Sequence, residues 1–129
     1  MKTKLFSKSG YINLYSKNNK ALIKFYKNRI GLPVINGSSE KWFGFDTRNV
    51  TFAIEPLSNR KNYKFNYNKK NPVLIQFAAS SKKELEAMNN HLEKNGIKLL
   101  RKSEKRSYGT ITNFLDPDGN VLEILLPKK

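Results

Sequence analysis

The apolar positions along this chain change period twice, and the changes mark out two similar stretches. Residues 10–16 alternate between polar-capable and apolar side chains, as a half-buried strand does. Beyond Asn18 and Asn19, either of which can cap a helix, the period lengthens. Ala21, Leu22, Phe25, Tyr26 and Ile30 then share one stripe. Gly31 supplies the left-handed residue that ends such a helix. Three short strands are predicted next, around 33–36, 41–46 and 50–55. Residues 57–71 are polar and basic without a period, and read as a linker.

The second half retraces this order. Residues 72–79 read as a strand, and Ser80 or Ser81 caps a helix that carries Leu85, Met88, Asn89 and Leu92. Ser81 with Glu84 has the spacing of a capping box. Gly96 stops the helix, and strands are predicted at 97–101, 109–115 and 121–126. Each half is therefore strand, helix, strand, strand, strand. A period of roughly 60 residues implies duplicated modules, each too small to bury its own face alone. The predicted fold class is α+β: two βαβββ modules forming curved mixed sheets around a groove, with helices on the outer face. One domain is expected over 1–129, with module 1 at about 9–57, a linker at about 58–71 and module 2 at about 72–127.

Composition narrows the function. No apolar run approaches the ~20 residues that span a bilayer, and the first residues lack a long apolar signal segment. The chain contains no cysteine, which excludes disulfides, thiolate catalysis and Cys-based metal sites. A cytoplasmic location is expected. With 25 Lys and Arg against 10 Asp and Glu, the net charge is +15, a field that attracts anions. The basic residues are scattered, from Lys17, Lys20 and Lys24 to Lys98, Arg101, Lys102, Lys105 and Arg106. No compact basic block stands out, so a solvated surface is the preferred reading. Neither nucleic acid nor a membrane is an expected partner.

The candidate chemistry begins at Glu123. Asp116, Pro117, Asp118, Gly119 and Asn120 make a tight turn, after which Val121, Glu123 and Leu125 share one strand face. A carboxylate set among apolar residues either points into a cavity or is paired. Antiparallel pairing across the turn puts Asn113 opposite Glu123 and Ile111 opposite Leu125. On the first strand Tyr11, Asn13 and Tyr15 share a face. Thr51 and Ala53 share that of Glu55, and Gln76 that of Leu74. Trp42 offers an aromatic wall. Rings with a few orienting amides and acids are what ligand pockets contain. Each residue also has a structural reading. Tyr11 and Tyr15 can fill space with their hydroxyls in solvent. Trp42 can be a dimer contact. Glu55, next to Pro56, can sit at a wet strand end.

The stretch Phe25-Tyr26-Lys27-Asn28-Arg29-Ile30-Gly31-Leu32 resembles the FY…LGL signature of the vicinal oxygen chelate superfamily. The segment from Asn113 through Asp116-Pro117-Asp118-Gly119-Asn120 to Glu123 resembles that superfamily's closing FxDPDGNxxE. The superfamily includes glyoxalase I, bleomycin-resistance proteins, fosfomycin-modifying enzymes and extradiol dioxygenases, and the resemblance runs from about residue 9 to 126. It implies metal-ligand positions at Tyr11, Glu55, Leu74 and Glu123, where metal-using members carry His, Glu, His and Glu. Both imidazoles are missing here. Leu74 has no lone pair, and Tyr11 could bind only as a phenolate, unfavourable at neutral pH. Two carboxylates could hold Mg²⁺ or Mn²⁺ only weakly. His91, the sole histidine, falls within the second helix, off the groove. No transition metal and no other cofactor is expected.

Three functions follow. The first is a protein of the bleomycin-resistance type that binds a small organic molecule in its groove. The second is a lyase, isomerase or dioxygenase of the same superfamily, with Glu123 as general base oriented by Asn113. The third is a charge-driven binder of nucleic acid or an anionic surface. The resemblance also implies a homodimer.

Overall fold

The computed structural model describes residues 11–48, 50–60 and 73–129, which fall into two compact units on either side of residues 61–72. In the N-terminal unit the alternating stretch forms β1 (Tyr11–Ser16), and α1 (Asn19–Lys24) follows. The helix widens into a π-helical turn, Phe25–Ile30, that Gly31 closes at φ 88°. The N–H groups of Gly31 and Leu32 both donate to the Tyr26 carbonyl. Asn18 occupies the cap position but makes no side-chain capping bond. Its N–H donates to Ser16 Oγ, while Asn19 Nδ2 donates to the Glu40 carbonyl.

Strands β2 (Phe43–Asp46) and β3 (Thr51–Pro56) complete the sheet. The strand expected at 33–36 is reduced to a single bridge between Val34 and Phe45. Pro33 has no N–H to give a ladder, and Gly37 at φ 85° turns the chain away two residues after Ile35. A 3₁₀ turn, Leu57–Arg60, follows β3. The rest of the expected linker lies outside the described residues.

The C-terminal unit contains β4 (Leu74–Ala78), α2 (Lys82–Lys94), β5 (Arg101–Arg106), β6 (Gly109–Leu115) and β7 (Val121–Pro127). Ser81 Oγ accepts the Glu84 N–H at 3.0 Å and caps α2. The Glu84 carboxylate reaches back to the hydroxyl of Ser80, so the box closes one residue early. The strand expected at 97–101 lies further on, at β5. Ile97 is buried, and its N–H donates to the Leu92 carbonyl at the helix end. β5 contains no apolar residue, so periodicity could not announce it.

The sheet orders are β1-β3-β2 and β4-β7-β6-β5. In each unit the first strand runs parallel to the last, and the last runs antiparallel to the one before it. The Val34 bridge on β2 stands where β5 stands on β6. The two units thus share one mixed topology.

Each helix covers one sheet face. In the N-terminal unit the Tyr26 ring meets Phe52 edge-on with centroids 4.9 Å apart, and Leu22, Phe45 and Ile54 are buried with it. In the C-terminal unit α2 packs on β7 and β5, burying Leu85 and Leu92 on the side of Leu122 and Ile124. The opposite faces carry the polar and aromatic residues considered below. Tyr26→Ala is expected to lower stability by roughly 3–5 kcal/mol, the range for truncating a fully buried ring. Urea unfolding followed by circular dichroism measures it, and a loss below about 1 kcal/mol would contradict this account of the core.

Candidate functional site

Strand β7 directs Val121, Glu123 and Leu125 to the face turned away from α2. The parallel register with β4 sets Gln76 beside Glu123, and the antiparallel register with β6 sets Asn113 on its other side. Gln76 Nε2 donates to Glu123 Oε2 at 2.7 Å, and Asn113 Nδ2 donates to Oε1 at 3.1 Å. Both carboxylate oxygens are therefore engaged by amide hydrogens, which is how a buried acid is kept without a cation. Glu123 and Asn113 are only 7% and 5% exposed. The row opens to solvent at Gln76.

Asn113 has given both its useful bond and its burial to Glu123, and its Oδ1 is left buried without a partner. An unsatisfied buried acceptor costs about 1–3 kcal/mol, so its place needs a reason. Apolar rows flank the amides. Leu115, Val121 and Leu74 lie in register on one side, and Ile111, Leu125 and Ala78 on the other. Leu74 and Leu115 are exposed, whereas Ile111 is buried. The turn that aims β7 is held by Asp116. Its Oδ1 accepts N–H groups from Asp118 and Asn120, both at 2.9 Å, and its Oδ2 accepts Asn120 Nδ2 at 2.7 Å.

The N-terminal sheet carries different chemistry on its open face. Tyr11, Asn13 and Tyr15 stand opposite Thr51, Ala53 and Glu55. Trp42 lies just before β2, joined to Ser39 by a bridge, and not within a strand. Its indole meets the Tyr11 ring edge-on, with centroids 5.4 Å apart. A Cβ on Gly44 would fall 2.4 Å from Trp42 Cη2, so the missing side chain is what admits the ring. Asn13 Oδ1 is also buried and unpaired. Glu55 Oε1 accepts Asn59 Nδ2 at 3.0 Å, and the same nitrogen reaches the Lys41 carbonyl at 2.9 Å. That gives Glu55 a structural partner at the strand end.

Within each unit, the positions implied for a metal are out of register with one another. Tyr11 pairs with Thr51, while Glu55 pairs with Tyr15, four residues further along and therefore about 13 Å away. Leu74 stands opposite Val121, so Gln76 and not Leu74 is the β4 neighbour of Glu123. His91 is on the exposed side of α2. Among the described residues no three His, Asp or Glu side chains come together. With tyrosine and leucine where imidazoles would stand, the donor set does not fit a transition ion.

Two neighbours were not legible beforehand. Asn59 gave no signal, lying in an aperiodic stretch. Arg101 stands opposite Asn113 and extends the amide row to a fourth strand. Its only sequence clue was its place a few residues before the Ser107-Tyr108-Gly109 turn.

Two sheets of one topology, each with the first strand parallel to the last, define a protein of the duplicated βαβββ class. The Glyoxalase/Bleomycin resistance protein/Dioxygenase superfamily model matches residues 8–124, and the chain belongs to that superfamily. Solved structures agree in fold. A glyoxalase/bleomycin resistance protein/dioxygenase from Nocardioides is 15% identical, with 93% of this chain and 83% of that one covered and a TM-score of 0.78. Lactoylglutathione lyase from Agrobacterium tumefaciens is 18% identical, with 93% of each chain covered and a TM-score of 0.72. A family enzyme from Burkholderia phytofirmans PsJN is 19% identical, with 92% and 98% covered and a TM-score of 0.70. At these identities the likeness is one of fold. No curated protein matches the sequence.

Gly44→Ala is expected to push the indole off β2 and break its contact with Tyr11, at little cost in stability because a side chain can swing aside. Trp42 is the sole tryptophan, so a shift in intrinsic fluorescence reports it directly. An unchanged emission spectrum would show that the close approach over Gly44 does not govern the ring.

Proposed function

We propose that this protein binds a small organic molecule on the open face of its C-terminal sheet, without a transition metal. The observation that carries the reading is the buried, unpaired Oδ1 of Asn113 beside an already satisfied Glu123. A ligand N–H or O–H placed there would recover the bond that folding leaves unmade. Glu123, locked between two amides, acts as an anchor that fixes their orientation. Exposed Leu74 and Leu115 supply apolar surface for the body of the guest. On the N-terminal sheet, Tyr11 and Trp42 offer ring surface of the kind that holds flat molecules. The family as a whole joins this fold to chemistry on small molecules, and the residues here favour binding over turnover. A general base must reach its substrate, and Glu123 is buried with each oxygen accepting from an amide.

Native mass spectrometry of protein taken from its own cells is expected to show a chain carrying one small organic adduct. Metal analysis of the same sample is expected to find no stoichiometric Zn, Ni, Fe or Mn. Asn113→Ala should lose the adduct. A stoichiometric transition ion released by Glu123→Gln would overturn the reading.

A further inference from the structure

We propose that the ligand is an organic acid carrying an N–H donor close to its acid group, and that Arg101 selects it; this rests on the open-face reading above. Arg101, Asn113, Glu123 and Gln76 lie in one continuous cross-strand register over β5, β6, β7 and β4. Adjacent strands are about 4.8 Å apart, so Arg101 and Asn113 are cross-strand neighbours, within the span of one small molecule.

A backbone irregularity puts Arg101 there. Between the pairs Arg101–Asn113 and Glu104–Ile111, β5 advances three residues while β6 advances two. Strict alternation would send residues 101 and 104 to opposite faces; the bulge brings both to the open one. Ser103 lies inside it at φ 49°, a conformation rare outside glycine. Its N–H donates to Thr112 Oγ1 at 3.1 Å, and its Oγ accepts Asn89 Nδ2 at 2.9 Å. Asn89, on α2, is buried, so the bulge is tied down from the helix side.

The charge on this face is arranged for an anion. Glu104 forms ion pairs with Arg101 Nε at 3.4 Å and Arg106 Nη2 at 3.0 Å. One carboxylate is thus shared by two guanidinium groups, which leaves a net positive charge. The Arg101 contact to Glu104 runs through Nε, and its side chain is about half exposed, so the guanidinium is accessible to a carboxylate or phosphate. The whole-chain charge of +15 draws acids toward it. Lys102, next in sequence, faces the other way and pairs with Glu93 of α2 at 2.7 Å.

The test uses the full chain and three probes: N-acetylleucine (anionic) and N-acetylleucine amide (neutral), which match in size, and the smaller leucine amide (cationic). Binding is read by titration calorimetry and by the side-chain NH₂ resonances of Gln76 and Asn113. The acid is expected to bind most tightly and to shift both resonances. Arg101→Gln should weaken it about tenfold or more, the scale of one charge-assisted bond. Lys102→Gln removes the same charge from the other face and should change nothing. Glu104→Gln frees both guanidinium groups and should tighten binding. Equal losses in Arg101→Gln and Lys102→Gln would reduce the effect to the bulk field and overturn the proposal. If the neutral amide binds as well as the acid and shifts the same resonances, acid selection fails while the open-face site stands. If no probe moves those resonances, both fail.

Discussion

The parallel ladder between β4 and β7 is the constraint on which the C-terminal unit turns. It joins the first strand of the unit to the last, and its register decides which side chain stands beside Glu123. A slip of one residue would bring Ile75 to that place and turn Gln76 toward the helix, because alternate residues face opposite ways. Glu123 would then lose an amide partner while remaining buried, a change that costs more than an ordinary hydrogen bond is worth. The apolar residues on the helix side enforce the same register: Leu122 and Ile124 are buried under α2 only when Glu123 faces away. Packing on one face and polar satisfaction on the other therefore select the same pairing.

The two units show how one topology can carry two chemistries. Both leave a sheet face uncovered by their own helix, and both place a buried asparagine oxygen there without a partner. In the C-terminal unit that oxygen belongs to a row of amides and an acid with a cation at its end. In the N-terminal unit it sits near rings, where Gly44 makes room for Trp42 against Tyr11. The difference comes from residue type at equivalent strand positions, since the backbone ladders run in the same sense. Membership of the superfamily accounts for the ladders. The chemistry has to be argued from the side chains.

Bulges matter to this protein as much as regular strands. The left-handed Ser103 and its ties to Asn89 and Thr112 change which residues of β5 share a face with Glu123. A helix residue far from the open face thereby sets the composition of that face. The same strand gathers part of the positive charge that looked evenly spread along the chain. Glu104 and Glu93 then divide it, one on each side of the sheet.

Much of the fold was legible from periodicity. The alternation at 10–16, the stripe from Leu22 to Ile30, the Ser81 cap and the Asp116–Asn120 turn each specify local structure by sterics and nearby hydrogen bonds. The turn length alone set Asn113 opposite Glu123. Long-range pairing was not legible. That Tyr11 and Glu55 stand four residues apart, and that Gln76 displaces Leu74 beside Glu123, depends on how two parallel strands slide past each other. No loop joins such strands directly, so no local rule fixes their offset. β5 lies four to five residues beyond the strand expected at 97–101, because it runs along a charged, exposed edge where apolar period is silent. The sequence by itself determined the elements, the duplication and the lack of nitrogen ligands, because these rest on local conformation and residue chemistry. Only the tertiary structure decided which side chains meet, because registry between distant strands is chosen by burial over the whole sheet.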